Sequence, residues 1–242
     1  MTTGGDSGEG QAGGQQLLAI FWYDYYNTET SWLPLLLPFC GWCGLWVYAT
    51  VHGKAYGKWW QIQLIHHVGA ILGGSLSLYY DDDTLFNERN SILWSTAYFL
   101  VDLLDCLLTG HLAYIVHAVC CLLLGYGNYT LPLLRSLRMN SQATYIELSG
   151  LLLPYVKQYK KAWLFILFAV VFTGCRIIWI PLLAQQLVHH EEEEGGLAYT
   201  HPVMLGMGAF YCLNLYWYVG ILRIIVTGNA DGGNIKKTKK TQ

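Results

Sequence analysis

Residues 91–119 read SILWSTAYFLVDLLDCLLTGHLAYIVHAV. Two apolar stretches, 91–109 and 111–128, are separated only by the turn at Gly110-His111. Each is close to the roughly 20 residues that an α-helix needs to cross hydrocarbon. So short a turn makes them antiparallel neighbours. In the first, Tyr98, Asp102 and Asp105 recur at i, i+4 and i+7, which puts them on one helical face. An ionisable group at the centre of a membrane helix costs about 2.5–3.5 kcal/mol or more, so that face must turn into a bundle or towards water. The hairpin therefore predicts an all-α, multispanning membrane bundle.

Outward from the hairpin the same pattern repeats. The expected spans are 33–51, 60–80, 91–109, 111–128, 142–154, 163–187 and 201–226, about seven in all. The fifth is too short to cross about 30 Å alone, so it is expected to be tilted, kinked at Pro154 or partly re-entrant. Composition agrees: the 242 residues are 54% hydrophobic and 12% charged, where a soluble domain carries about 25% charged residues. The spans leave no room for a soluble catalytic domain, so any chemistry lies in or against the bundle. The net charge of −2 gives no sign of nucleic-acid binding.

Charge placement sets an orientation. Lys54 and Lys58 follow the first span, Lys157, Lys160 and Lys161 the fifth, and Lys236, Lys237, Lys239 and Lys240 the seventh. Asp81, Asp82, Asp83 and Glu88 lie between the second and third spans, and Glu191 to Glu194 between the sixth and seventh. Lysine-bearing loops are retained in the cytosol, which predicts a lumenal N-terminus and a cytosolic C-terminus. Arg135 and Arg138 run against the rule. Lys239-Lys240-Thr241-Gln242 resembles a dilysine retrieval signal, so an endoplasmic reticulum membrane location is expected. The predicted organisation is a disordered lumenal tail (1–16), an interfacial aromatic segment (17–32), a transmembrane domain (33–228) and a basic cytosolic tail (229–242).

Several apparent motifs carry little. Cys40-Gly41-Trp42-Cys43 has a redox spacing but sits inside an apolar helix, and all seven cysteines lie in apolar segments, so no disulfide framework is expected. Asp81-Asp82-Asp83, and His189-His190 with the following glutamates, lack ordered ligand spacing and read as solvated loop charge. No metal site is expected. Asn128-Tyr129-Thr130 is a glycosylation sequon abutting the membrane. A retinal receptor is excluded because 201–226 holds no lysine.

The ionisable groups expected within the spans are His66, His67, Asp102, Asp105, His117, Glu147 and Arg176. At 1.5 Å per residue, His66, Asp102, Asp105 and His117 would share a level about 6–12 Å inside the cytosolic boundary. Glu147 and Arg176 would lie nearer mid-membrane, where they are placed to pair with each other or to hold a lipid head group. His66 and His67 diverge by about 100°, so at most one faces the cluster squarely. The bland alternative is that these side chains are structural glue between helices.

At these residues the chain resembles the TRAM–Lag–CLN (TLC) domain family. The matching stretches are Tyr98-Phe99-Leu100-Val101-Asp102-Leu103-Leu104, Ile115-Val116-His117, Glu147-Leu148-Ser149 running to Pro154, Cys175-Arg176-Ile177 with Pro181, and Leu213-Asn214-Leu215-Tyr216-Trp217. The family includes ceramide synthases, which transfer an acyl group from acyl-coenzyme A to a sphingoid amine, as well as lipid-sensing and cargo-export members. Ceramide synthases carry a His-His pair; here His117 is followed by Ala118, and the pair His66-His67 falls elsewhere. The chain is more similar to the smaller TLC-domain proteins.

The resemblance implies lipid homeostasis in two forms. In an N-acyltransferase, His117 would be the base or nucleophile, with Asp102 or Asp105 orienting it. Tyr98, His66, Glu147 and Arg176 would bind substrate, and Lys54, Lys58 or Lys157 would meet the phosphates of acyl-CoA, a co-substrate and not a bound cofactor. In a non-catalytic sensor, carrier or chaperone, the same polar floor would hold a lipid head group. The partners expected are membrane lipids, with a homodimer left open.

Overall fold

The computed structural model describes residues 33–52, 58–80, 85–189 and 198–227. Both expected tails, the segment 17–32, Lys54, Asp81 to Asp83 and Glu191 to Glu194 lie outside the described residues. After a 3-10 turn at Leu33–Leu35 come α1 (Leu36–His52), α2 (Lys58–Tyr79), α3 (Glu88–Thr109) and α4 (Leu112–Thr130). Short helices α5 (Pro132–Ser136) and α6 (Met139–Ala143) and a 3-10 turn at Thr144–Ile146 lead to α7 (Glu147–Tyr159). A π-helical turn at Thr173–Ile178 joins α8 (Ala162–Phe172) to α9 (Trp179–Val188), and α10 (Pro202–Thr227) follows.

The described residues are all helix and connecting turn. Four helices are long and apolar enough to cross a membrane: α3, α4, the continuous run Ala162–Val188 and α10. The other expected spans fall short of that standard. α1 has 17 residues and α7 has 13, and α2 has the length but carries Gln61, Gln63, His66 and His67.

The α3–α4 hairpin forms as expected, and local chemistry explains it. The Asn87 side chain accepts from the Asn90 N–H at 2.8 Å, satisfying one of the donors at the start of α3. Gly110 ends the helix at φ 72°, a left-handed conformation that glycine adopts without a Cβ clash, and its N–H reaches Cys106 O at 2.9 Å. α4 packs back on α3 and on α10, α1 packs on α3, and α2 packs on α7.

Segment 131–160 departs most from expectation. Instead of one continuous helix over 142–154 it forms α5, α6, the 3-10 turn and α7, with Pro154 inside α7. Pro132 opens α5, where a missing N–H costs nothing. Arg138 breaks the chain at φ 49° and donates to the carbonyls of Ser77 and Tyr80, closing the end of α2. Buried Glu88 accepts from the N–H of Asn140 at 2.8 Å, the N–H of Ser141 at 3.1 Å and the Ser141 hydroxyl, anchoring α6 on α3. Lys160 closes α7 at φ 48°, the other left-handed residue with a side chain among the described residues.

Asn128 is buried, so its sequon has no space for a glycan. All seven cysteines are free thiols. Trp42, between Cys40 and Cys43, is buried and packs edge-on against Trp94 and Tyr98.

Candidate functional site

Helices α2, α3, α4, α7, α8 and α10 surround a cavity of about 1030 Å³. One side is polar, formed by His67, Tyr98, Asp102, His117, Glu147, Ser149 and Arg176. Apolar walls come from Leu153, Val156, Phe165, Phe168, Phe172 and Ile221. Lys157, Lys160 and Lys161, all exposed, complete the lining where α7 turns into α8.

Of the residues expected from sequence, Tyr98, Asp102, His117, Glu147, Arg176 and Lys157 therefore meet at one cavity. His66 and Asp105 are absent from its lining. Lys54 and the Lys58 side chain fall outside the described residues.

The pairings differ from the expected ones. Glu147 does not take Arg176 as its close ion-pair partner; its Oε2 lies 2.6 Å from Nδ1 of His67. The reason is rotational phase: the irregular stretch before Glu147 turns α7 so that Glu147 faces α2. Arg176 is instead held by neutral groups. Its Nε donates to Ser149 Oγ at 2.7 Å and its Nη1 to Asn214 Oδ1 at 3.0 Å, and the guanidinium lies over the Phe172 ring at 5.5 Å. Asn214 and Ser149 are themselves buried and bonded onward to Phe210 O and Ile146 O. The π turn that carries Arg176 also leaves Ile177 O to accept from the Tyr211 hydroxyl at 3.3 Å. Such turns frequently mark functional positions in helices.

Asp105 accepts from the Trp46 indole at 3.0 Å and fastens α1 to α3. This role corrects its expected place beside His117. His117 sits among aromatic rings instead, with centroids 5.8 Å from Phe99, 5.4 Å from Phe210 and 5.5 Å from Trp217, and Cys121 Sγ 3.8 Å from its Nε2. The histidine with a carboxylate behind it is His67, which sequence left unassigned. The only signal was adjacency to His66, and that pair did not reveal which member faces inward.

His66 stacks on Tyr98 at 3.7 Å and is fully buried, yet neither ring nitrogen has a hydrogen-bond partner. A buried donor left unmade costs about 1–3 kcal/mol. Gly150 lets α7 approach closely, since a Cβ there would lie 2.5 Å from His67 Cε1. Gly150→Ala is expected to push the His67 ring off Glu147 and cost about 1–3 kcal/mol, read as a lower unfolding midpoint in detergent. An unchanged midpoint would show that the ring relocates freely.

The TLC domain model matches residues 80–223, well over half of the sequence. The chain belongs to the TLC domain family. It is a multi-pass membrane protein of a family associated with lipid metabolism and sensing. No curated protein matches it significantly. The TLC match covers α3 to α9 and most of α10, and so takes in Asp102, His117, Glu147 and Arg176. α1 and all of α2, with His66 and His67, precede it.

Proposed function

We propose that this TLC-domain protein binds one membrane lipid in the cavity and acts in lipid homeostasis. The cavity itself carries the reading. Its volume suits a single amphipathic ligand, with a polar head beside His67, Glu147 and Arg176 and a tail along the apolar walls of α7, α8 and α10. The expected arrangement belongs to the same proposal: seven crossings in the endoplasmic reticulum membrane, the N-terminus in the lumen and the C-terminus in the cytosol. The lysines lining the cavity then lie at its cytosolic mouth.

The test uses protein purified in mild detergent, with co-purifying lipid identified by mass spectrometry. Gly220 lines the cavity, and a Cβ added there meets nothing within 4 Å. Gly220→Trp should therefore fill the space while sparing the fold, lowering lipid occupancy at least about tenfold, or 1.4 kcal/mol. Equal occupancy in the variant would remove the cavity from consideration.

A second reading, N-acyl transfer, is favoured by the lysines at the rim. They suit the phosphates of acyl-CoA, and an imidazole lies within the same cavity. The substrate amine would attack the thioester carbonyl, the thiolate of coenzyme A would leave, and His117 would carry the amine proton to it. His117→Ala should then lower turnover by about 10²–10⁴-fold with the fold retained. Formation of N-acyl product from a sphingoid base and acyl-CoA is the measurement, and product formed equally by the variant would exclude this role for His117.

A further inference from the structure

We infer that His66, His67 and Glu147 form a binding site for a divalent transition metal, Zn²⁺ by its ligand chemistry. One ligand atom from each residue lies within 4.8 Å of the others, although the residues come from α2 and α7. A tetrahedral Zn²⁺ with bonds of about 2.0–2.2 Å brings its ligand atoms to roughly 3.3–3.6 Å from one another, so modest side-chain rotation closes the set.

The second observation is the state of His66. It is fully buried, both its ring nitrogens are unpartnered, and one of them lies within the trio. An unsatisfied buried polar group calls for an explanation, and a bound ion supplies one. Stacking on Tyr98 holds the His66 ring in place, as supporting contacts do for metal-bound histidines.

Two imidazoles and one carboxylate are a common zinc set that leaves a fourth position open. His67 and Glu147 line the cavity, so the open position faces the space assigned to lipid. A metal there would coordinate a carbonyl or phosphate oxygen of the ligand. Sequence spacing hides the site because Glu147 is distant from the histidines and neighbouring helix positions diverge by about 100°.

Zn²⁺ binding by the trio is proposed and tested separately from the lipid reading; only coordination of a lipid oxygen rests on that reading. Full-length protein is purified without chelators, equilibrated with Zn²⁺, desalted, and its metal content measured by mass spectrometry. The wild type should hold about one Zn²⁺ per chain. His66→Phe, which keeps a ring against Tyr98, and Glu147→Gln, which keeps the shape, should each lower that content roughly tenfold or more. Asp102→Asn, a cavity carboxylate outside the trio, should retain it. Zn²⁺ should raise the unfolding midpoint of the wild type but not of Glu147→Gln. A wild type with no stoichiometric Zn²⁺, or trio variants that hold as much as the wild type, would overturn the proposal. Lipid occupancy in the same samples reports on the cavity reading alone.

Discussion

Arg176→Leu is expected to lower stability by about 3 kcal/mol. The guanidinium makes two hydrogen bonds, to Ser149 and Asn214, and bonds to charged groups are worth about 1.5–3 kcal/mol each. Relief of the arginine's own burial recovers part of that sum. What remains is the cost to the partners: Asn214 and Ser149 are at most 1% exposed, so their acceptors would be left largely unsatisfied. Arg176→Lys should fall between, since an ammonium keeps the charge but cannot span both acceptors as a planar fork does. Thermal unfolding in detergent checks the order. A leucine variant as stable as the wild type would mean that Arg176 is carried at a net cost and kept for its ligand.

Glu88→Ala should be comparably severe, by a different route. One carboxylate receives two backbone N–H groups and a hydroxyl at the start of α6. Removing it strands buried donors, at about 1–3 kcal/mol each, for an expected loss of about 3–5 kcal/mol. Glu88→Gln keeps a carbonyl acceptor and should lose less. The signature is local, so hydrogen exchange is the sharper readout. Amides of 139–146 should exchange faster in the alanine variant while those of α10 change little. Uniform acceleration throughout would show instead that α6 is not an independent unit.

The two variants also mark where sequence was informative. The α3–α4 hairpin was legible because everything that makes it is local: apolar runs of membrane length, a glycine at the turn, and carboxylates at i, i+4 and i+7. Segment 131–160 was not, because its course depends on Glu88 and Arg138, whose bonds join positions far apart in the chain. Hydropathy cannot register a helix fastened from another helix.

Part of the cavity lining was legible as a set of residues, although His66 and Asp105 lie outside it, and the pairs were not. Tyr98, Asp102, His117, Glu147 and Arg176 meet in the cavity because burying an ionisable group is costly wherever it occurs. Glu147 nonetheless faces His67, and Asp105 faces Trp46. Choosing among buried partners requires the rotation of each helix about its own axis. For α7 the preceding short helices set that rotation, and no period in the sequence encodes it.

Lys160 holds a left-handed backbone, which costs a residue with a Cβ roughly 1–2 kcal/mol. Glycine would take the same bend without strain. Keeping a cation at this corner thus trades folding free energy for positive potential at the doorway of the cavity. On the proposed lipid-binding reading, that potential would favour entry of an anionic head group more than rigidity of the scaffold.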